Sequence, residues 1–82
     1  MNVSNERILE DISNTIIEMG AYDYLRKGFE ILALLPENAG TQARKYYSEY
    51  NYYDNLYTKC LEFLNKLYGL AEDRGIEMEE ET

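Results

Sequence analysis

Nine residues in the second half of the chain, Ala43, Tyr46, Tyr50, Tyr53, Tyr57, Cys60, Leu64, Leu67 and Ala71, follow one another at alternating steps of three and four. This is a heptad seam without a fault, and it predicts a single long helix over residues 41–73, roughly 48 Å from end to end. Polar residues fill the opposite side: Arg44, Lys45, Ser48, Asn51, Asn55, Thr58, Lys59, Glu62, Asn65 and Lys66. The flanks of the seam are apolar as well, with Tyr47, Leu61 and Tyr68 on one side and Leu56, Phe63 and Leu70 on the other. Arg74 and Gly75 supply a stop.

The first half has the same spacing with one interruption. Ile8, Ile12, Thr15, Met19, Tyr22, Phe29 and Ala33 keep the three-four rhythm, and Arg26 falls on the same line as its one unsuitable member. Ser4 is a favourable N-cap, and Glu6 stands where the helix dipole welcomes an acid. Beyond Gly20 the apolar arc widens: Tyr22, Leu25, Phe29, Leu32 and Ala33 lie on one side, with Tyr24, Ile31 and Leu35 beside it. A helix apolar around more than half its circumference normally touches neighbours on two sides.

Residues 35–41, with Pro36, Asn38 and Gly40, form the clear break, because proline cannot continue a helix and glycine supplies turn geometry. Thr41 or Asn38 is the expected cap of the long helix. No segment alternates with period two, so strands are not expected.

The reading is therefore all-α: a helical hairpin or a three-helix arrangement, with residues 1–75 as one helical domain and 76–82 as a disordered acidic tail. Gly20 and the widened arc tilt the expectation toward a bend there, which is the three-helix form. Either form has more apolar face than it can hide from itself, and 82 residues sit near the lower limit for a self-sufficient core. Homodimerisation into a four-helix-type bundle is the simplest remedy.

Composition narrows the function. The one cysteine, Cys60, forms no internal disulfide and lies on the seam, where a packed thiol is expected. There is no histidine, so the usual zinc, haem and copper ligand sets are missing, and no cofactor or metal site is expected. The five glycines stand singly and form no phosphate-binding loop. No apolar run reaches the roughly 20 residues of a membrane span, and the first residues lack the pattern of a secretory signal. A cytoplasmic protein is expected, in a bacterial, archaeal or virus-infected host cell.

The net charge is −8, divided as −4 over residues 1–40, +1 over 41–66 and −5 over 67–82. Such a chain is repelled by nucleic acid and by anionic lipid, and a basic protein surface suits it better. Glu6, Glu10, Asp11 and Glu18 step along one helix as an acidic ridge. Catalysis by carboxyl pairs needs one member shifted in a pocket, which an exposed ridge does not supply. An enzyme is not expected.

Six of the nine tyrosines, Tyr46, Tyr47, Tyr50, Tyr52, Tyr53 and Tyr57, crowd into twelve residues, with Arg44 and Lys45 just before them. Tyrosine suits surfaces where one end of the ring is packed and the other is wet, so these eight residues are the expected partner-binding set. The reading that follows is a non-enzymatic acidic interaction protein, homodimeric, that binds and inhibits or modulates a larger protein. In size and composition it is similar to phage-type inhibitors and nucleic-acid mimics that act on nucleic-acid-handling complexes. Two other readings stay open: a sponge or sensor holding a nucleotide-like ligand between the rings and Arg44/Lys45, and a structural assembly protein.

Overall fold

The structure, a computed structural model, describes residues 3–77. Two α-helices lie side by side and antiparallel, α1 (Asn5–Leu34) and α2 (Thr41–Asp73), joined by a single turn of 3-10 helix at Pro36–Asn38. Among the described residues there is no strand, and no helix is long and apolar enough to cross a membrane. The chain measures 52 × 31 × 14 Å, so its thinnest dimension is one helix layer.

Helix α1 runs through Gly20 without a break, so the hairpin forms and the three-helix arrangement does not. An interior glycine weakens a helix by only ~1 kcal/mol relative to alanine. A bend would strand backbone N–H and C=O groups and pull the second half of the seam away from α2. Continuity wins because the spacing Met19, Tyr22, Arg26, Phe29, Ala33 keeps one face on the partner helix.

The helix ends show which local signals prevailed. The Ser4 side chain accepts a hydrogen bond from the Arg7 amide at 3.1 Å, the expected N-cap. At the turn, neither Thr41 nor Asn38 caps α2. Thr41 is already its first helical residue, and the cap is Gly40, with φ +78°. A side chain is strained in that backbone region, so glycine is needed there. Asn38 turns the other way and donates to the carbonyl of Leu32 at 3.0 Å, closing the end of α1.

At the far end α2 stops as expected, on Arg74 and Gly75. The Gly75 amide donates to the carbonyl of Glu72 and the Ile76 amide to that of Ala71, a Schellman closure with Gly75 at φ +67°. The closure folds Ile76 onto the core, where it is half-buried. Ile76 is thus part of the packed structure rather than of an acidic tail, of which residues 78–82 lie outside the described residues. Arg74 fastens the open end by donating to the backbone carbonyl of Val3 and to Asn5 Oδ1.

The closed core sits at this end. Ile8, Ile12 and Met19 interlock with Leu64, Leu67 and Ala71, and Tyr57 and Cys60 pack against the cluster. Thr15, also buried on the seam, satisfies its hydroxyl by donating to the Asp11 carbonyl one turn back.

Candidate interaction surfaces

Of the eight residues expected to bind a partner, four face inward. Tyr46, Tyr50, Tyr53 and Tyr57 stand on the seam and are half-buried against α1. Phe29 stacks on Tyr53 with centroids 5.8 Å apart and planes 2° from parallel, and it meets Tyr46 at 6.1 Å. Tyr22 stacks on Tyr53 at 6.3 Å. Gln42 donates to the Tyr46 hydroxyl at 3.1 Å. Rings committed to α1 in this way are the packing surface of the loop-side half. A flat ligand between them would have to displace Phe29.

The other four are exposed and dispersed. Tyr47 is on one flank of the seam, and Tyr52 is on the outer side of α2, edge-on to Tyr53 at 5.1 Å. Arg44 and Lys45 are exposed near the start of α2, and no ion pair among the described residues involves them. Helical geometry points them away from α1 while Tyr46 points toward it, so the cations and the inward rings do not share a surface.

Arg26, the interruption in the α1 seam, is where the two helices make their polar contact. Its guanidinium bridges Asp23 (2.8 Å) and Asp54 of α2 (2.7 Å), and its Cζ lies 3.8 Å from the centroid of the Tyr57 ring. Lys27 joins Asp23 from the other side at 2.9 Å. Hydrogen bonds from Lys27 and then Arg26 hold the Asp23 carboxyl below the ordinary aspartate range. A single polar group at a seam position fixes the register of two helices, since any slip leaves charges facing apolar residues.

The acidic ridge divides. Glu6 and Glu10 are exposed on the outer side of α1. Asp11 pairs with Arg7 at 3.1 Å, and Glu18 accepts the Cys60 thiol at 3.6 Å. Asp11 and Glu18 share an open cleft with Arg7, Lys59, Cys60 and Phe63. Burial, and next the hydrogen bond to Glu18, push the Cys60 thiol above its ordinary value, which disfavours the thiolate a nucleophile needs. Among the described residues no group of three or more Cys, Asp or Glu is placed to hold a metal ion.

Antiparallel pairing turns the charge pattern along the chain into a pattern in space. Among the described residues, 3–19 and 58–77 hold eight acids and four bases, a net of −4, whereas residues 20–57 hold five acids and four bases, a net of −1. One end of the hairpin is acidic, and the other is nearly neutral and aromatic.

The surface that the expected site omits lies on the back of α1. The four most exposed large apolar side chains among the described residues are Tyr24 (80%), Ile17 (68%), Leu34 (65%) and Ile31 (62%). The signal was present in the widened arc after Gly20, which calls for neighbours on two sides. The hairpin supplies one. Comparison with protein-family models, curated proteins and solved structures finds no match to this chain.

Proposed function

We propose that this chain is a non-catalytic helical interaction protein that binds a larger protein and blocks or modulates it, docking its acidic end on a basic surface such as one that handles nucleic acid. The observation that carries the reading is the charge segregation: among the described residues a net −4 lies at the open end of the hairpin, against −1 at the loop end. Such an end attracts a basic surface over a distance set by ionic strength, about 10 Å at 0.1 M salt, and it repels nucleic acid and anionic lipid themselves. Two features support the non-catalytic part. The two carboxylates that share a cleft, Asp11 and Glu18, are already engaged by Arg7 and by the Cys60 thiol, and burial pushes that thiol above its ordinary value. Self-association into a four-helix assembly belongs to the same reading, since a layer one helix thick leaves apolar side chains in water.

The test is capture from lysate with two baits, the wild-type chain and a variant carrying Glu6→Gln, Glu10→Gln, Glu72→Gln and Asp73→Asn. A genuine partner is retained by the wild type at low salt, released as salt rises, and missing from the neutralised bait. Equal retention of every captured protein on both baits would sink the reading.

A further inference from the structure

The back of α1 has an order of its own. Ile17, Ala21, Tyr24, Gly28 and Ile31 are spaced 4-3-4-3, a second seam on the side of the helix turned away from α2, and the half-buried cap residue Leu35 follows one step of four beyond it. Large and small residues alternate along most of it. Tyr24, Leu25, Gly28, Phe29 and Leu32 line a shallow apolar cleft of about 140 Å³. Gly28 is not required by the hairpin: a Cβ built there would meet nothing within 4 Å, and glycine inside a helix is less stable than alanine. Its absent side chain leaves the outer surface of the helix open beside Tyr24 and Leu25.

We propose that the occupant is a second copy of this chain, packed antiparallel on α1 about a two-fold axis beside residue 26. This inference rests on the self-association part of the proposed function and names its surface. In that register Tyr24 of each copy lies on Gly28 of the other, Ala21 on Ile31, and Ile17 on Leu35. The strip is self-complementary in this direction. A parallel, in-register pair sets Tyr24 on Tyr24 and Gly28 on Gly28, giving a clash beside a void.

Charge selects the same direction. The axis lies about 21 residues from the start of α1, so the two acidic ends point apart and are separated by roughly 60 Å, several Debye lengths. Parallel stacking brings together two ends that each carry −4 among the described residues. The exposed area points the same way. Ile17, Tyr24, Leu25 and Ile31 expose roughly 500 Å² per copy, over half of the ~800 Å² that each partner contributes to a standard interface. The product is a four-helix assembly with an acidic pole at each end.

Light scattering across a wide concentration range tests the surface. The wild type should run at twice the 9.7 kDa chain mass. Tyr24→Glu and Ile31→Glu should each run at the chain mass with unchanged helical circular dichroism, while Ile16→Glu, on the neighbouring flank, should stay dimeric. A wild type that is monomeric throughout overturns self-association altogether, although salt-sensitive capture by the acidic end can still hold. A dimer that survives Ile31→Glu but not Ile16→Glu leaves self-association standing and overturns this face. Direction is read separately, from a spin label at Ser13→Cys in a Cys60→Ser background. An interlabel distance of about 40 Å is expected from the antiparallel register, and one under about 20 Å overturns it.

Discussion

The two halves of the hairpin use one seam spacing and close it by different physics. At the open end, aliphatic side chains from both helices interlock until Ile8 and Ala71 are each 1% exposed. At the loop end the same seam positions hold Tyr22, Phe29, Tyr46, Tyr50 and Tyr53, all only half-buried, and the helices meet through stacked rings. Aliphatic chains fill a groove between two helices and exclude water. Rings with hydroxyls span the groove and keep a wet edge. Arg26, clamped between Asp23 and Asp54 and lying over Tyr57, stands at the boundary. The comparison teaches that the closed core and the wet, ring-packed half of this small protein are at opposite ends, with the acid at the former and most of the uncovered apolar strip at the latter.

The largest expected effect sets one half directly against the other. Leu67→Ala, in the aliphatic core, should lower unfolding free energy by about 3 kcal/mol, as truncation of a fully packed leucine does. Tyr53→Ala, in the aromatic half, should lower it by about 1–2 kcal/mol, because the ring is only partly removed from water. Urea midpoints measured at one fixed protein concentration decide it. Equal losses would erase the distinction between the halves.

The boundary comes next. Arg26→Ala should destabilise by about 1–2 kcal/mol, combining lost ring contact with a carboxylate left unpaired between the helices. A double-mutant cycle with Asp54→Ala should return a coupling of about 0.5–1 kcal/mol. A coupling of zero would mean that the pair does not hold the register.

The smallest effect is in acid. Asp23 is held below the ordinary aspartate range in the folded chain, so its contribution is present at neutral pH and is lost as the pH falls below about 4. The stability difference between wild type and Asp23→Asn should therefore shrink between pH 7 and pH 3. A constant difference would show that the Lys27 and Arg26 contacts contribute nothing that depends on charge.

Much of the fold can be read from the chain, since a three-four spacing sustained over four repeats has one regular solution and Pro36 can end a helix only there. The functional surface was harder to place. Tyr46, Tyr50, Tyr53 and Tyr57 look like a binding cluster because tyrosine is rich at interfaces, yet their seam positions bind them to α1. Arg26 looks like an error in the stripe until Asp54 arrives from 28 residues away. Tyr24 and Ile31 look like one edge of a broad apolar arc, and only the position of α2 shows which part of the arc is left in water.

The sequence by itself determined the long second helix, the helical character of residues 4–35, the cap at Ser4, the turn at Pro36 to Gly40 and the stop at Gly75, because those follow from periodicity and local backbone chemistry. Tertiary structure decided that α1 passes through Gly20, that Ile76 joins the core, and that acids from the start of α1 and the end of α2 gather at one end. The reason is common to all three: each depends on what lies across the groove between the helices, and residues placed opposite one another there are far apart along the chain.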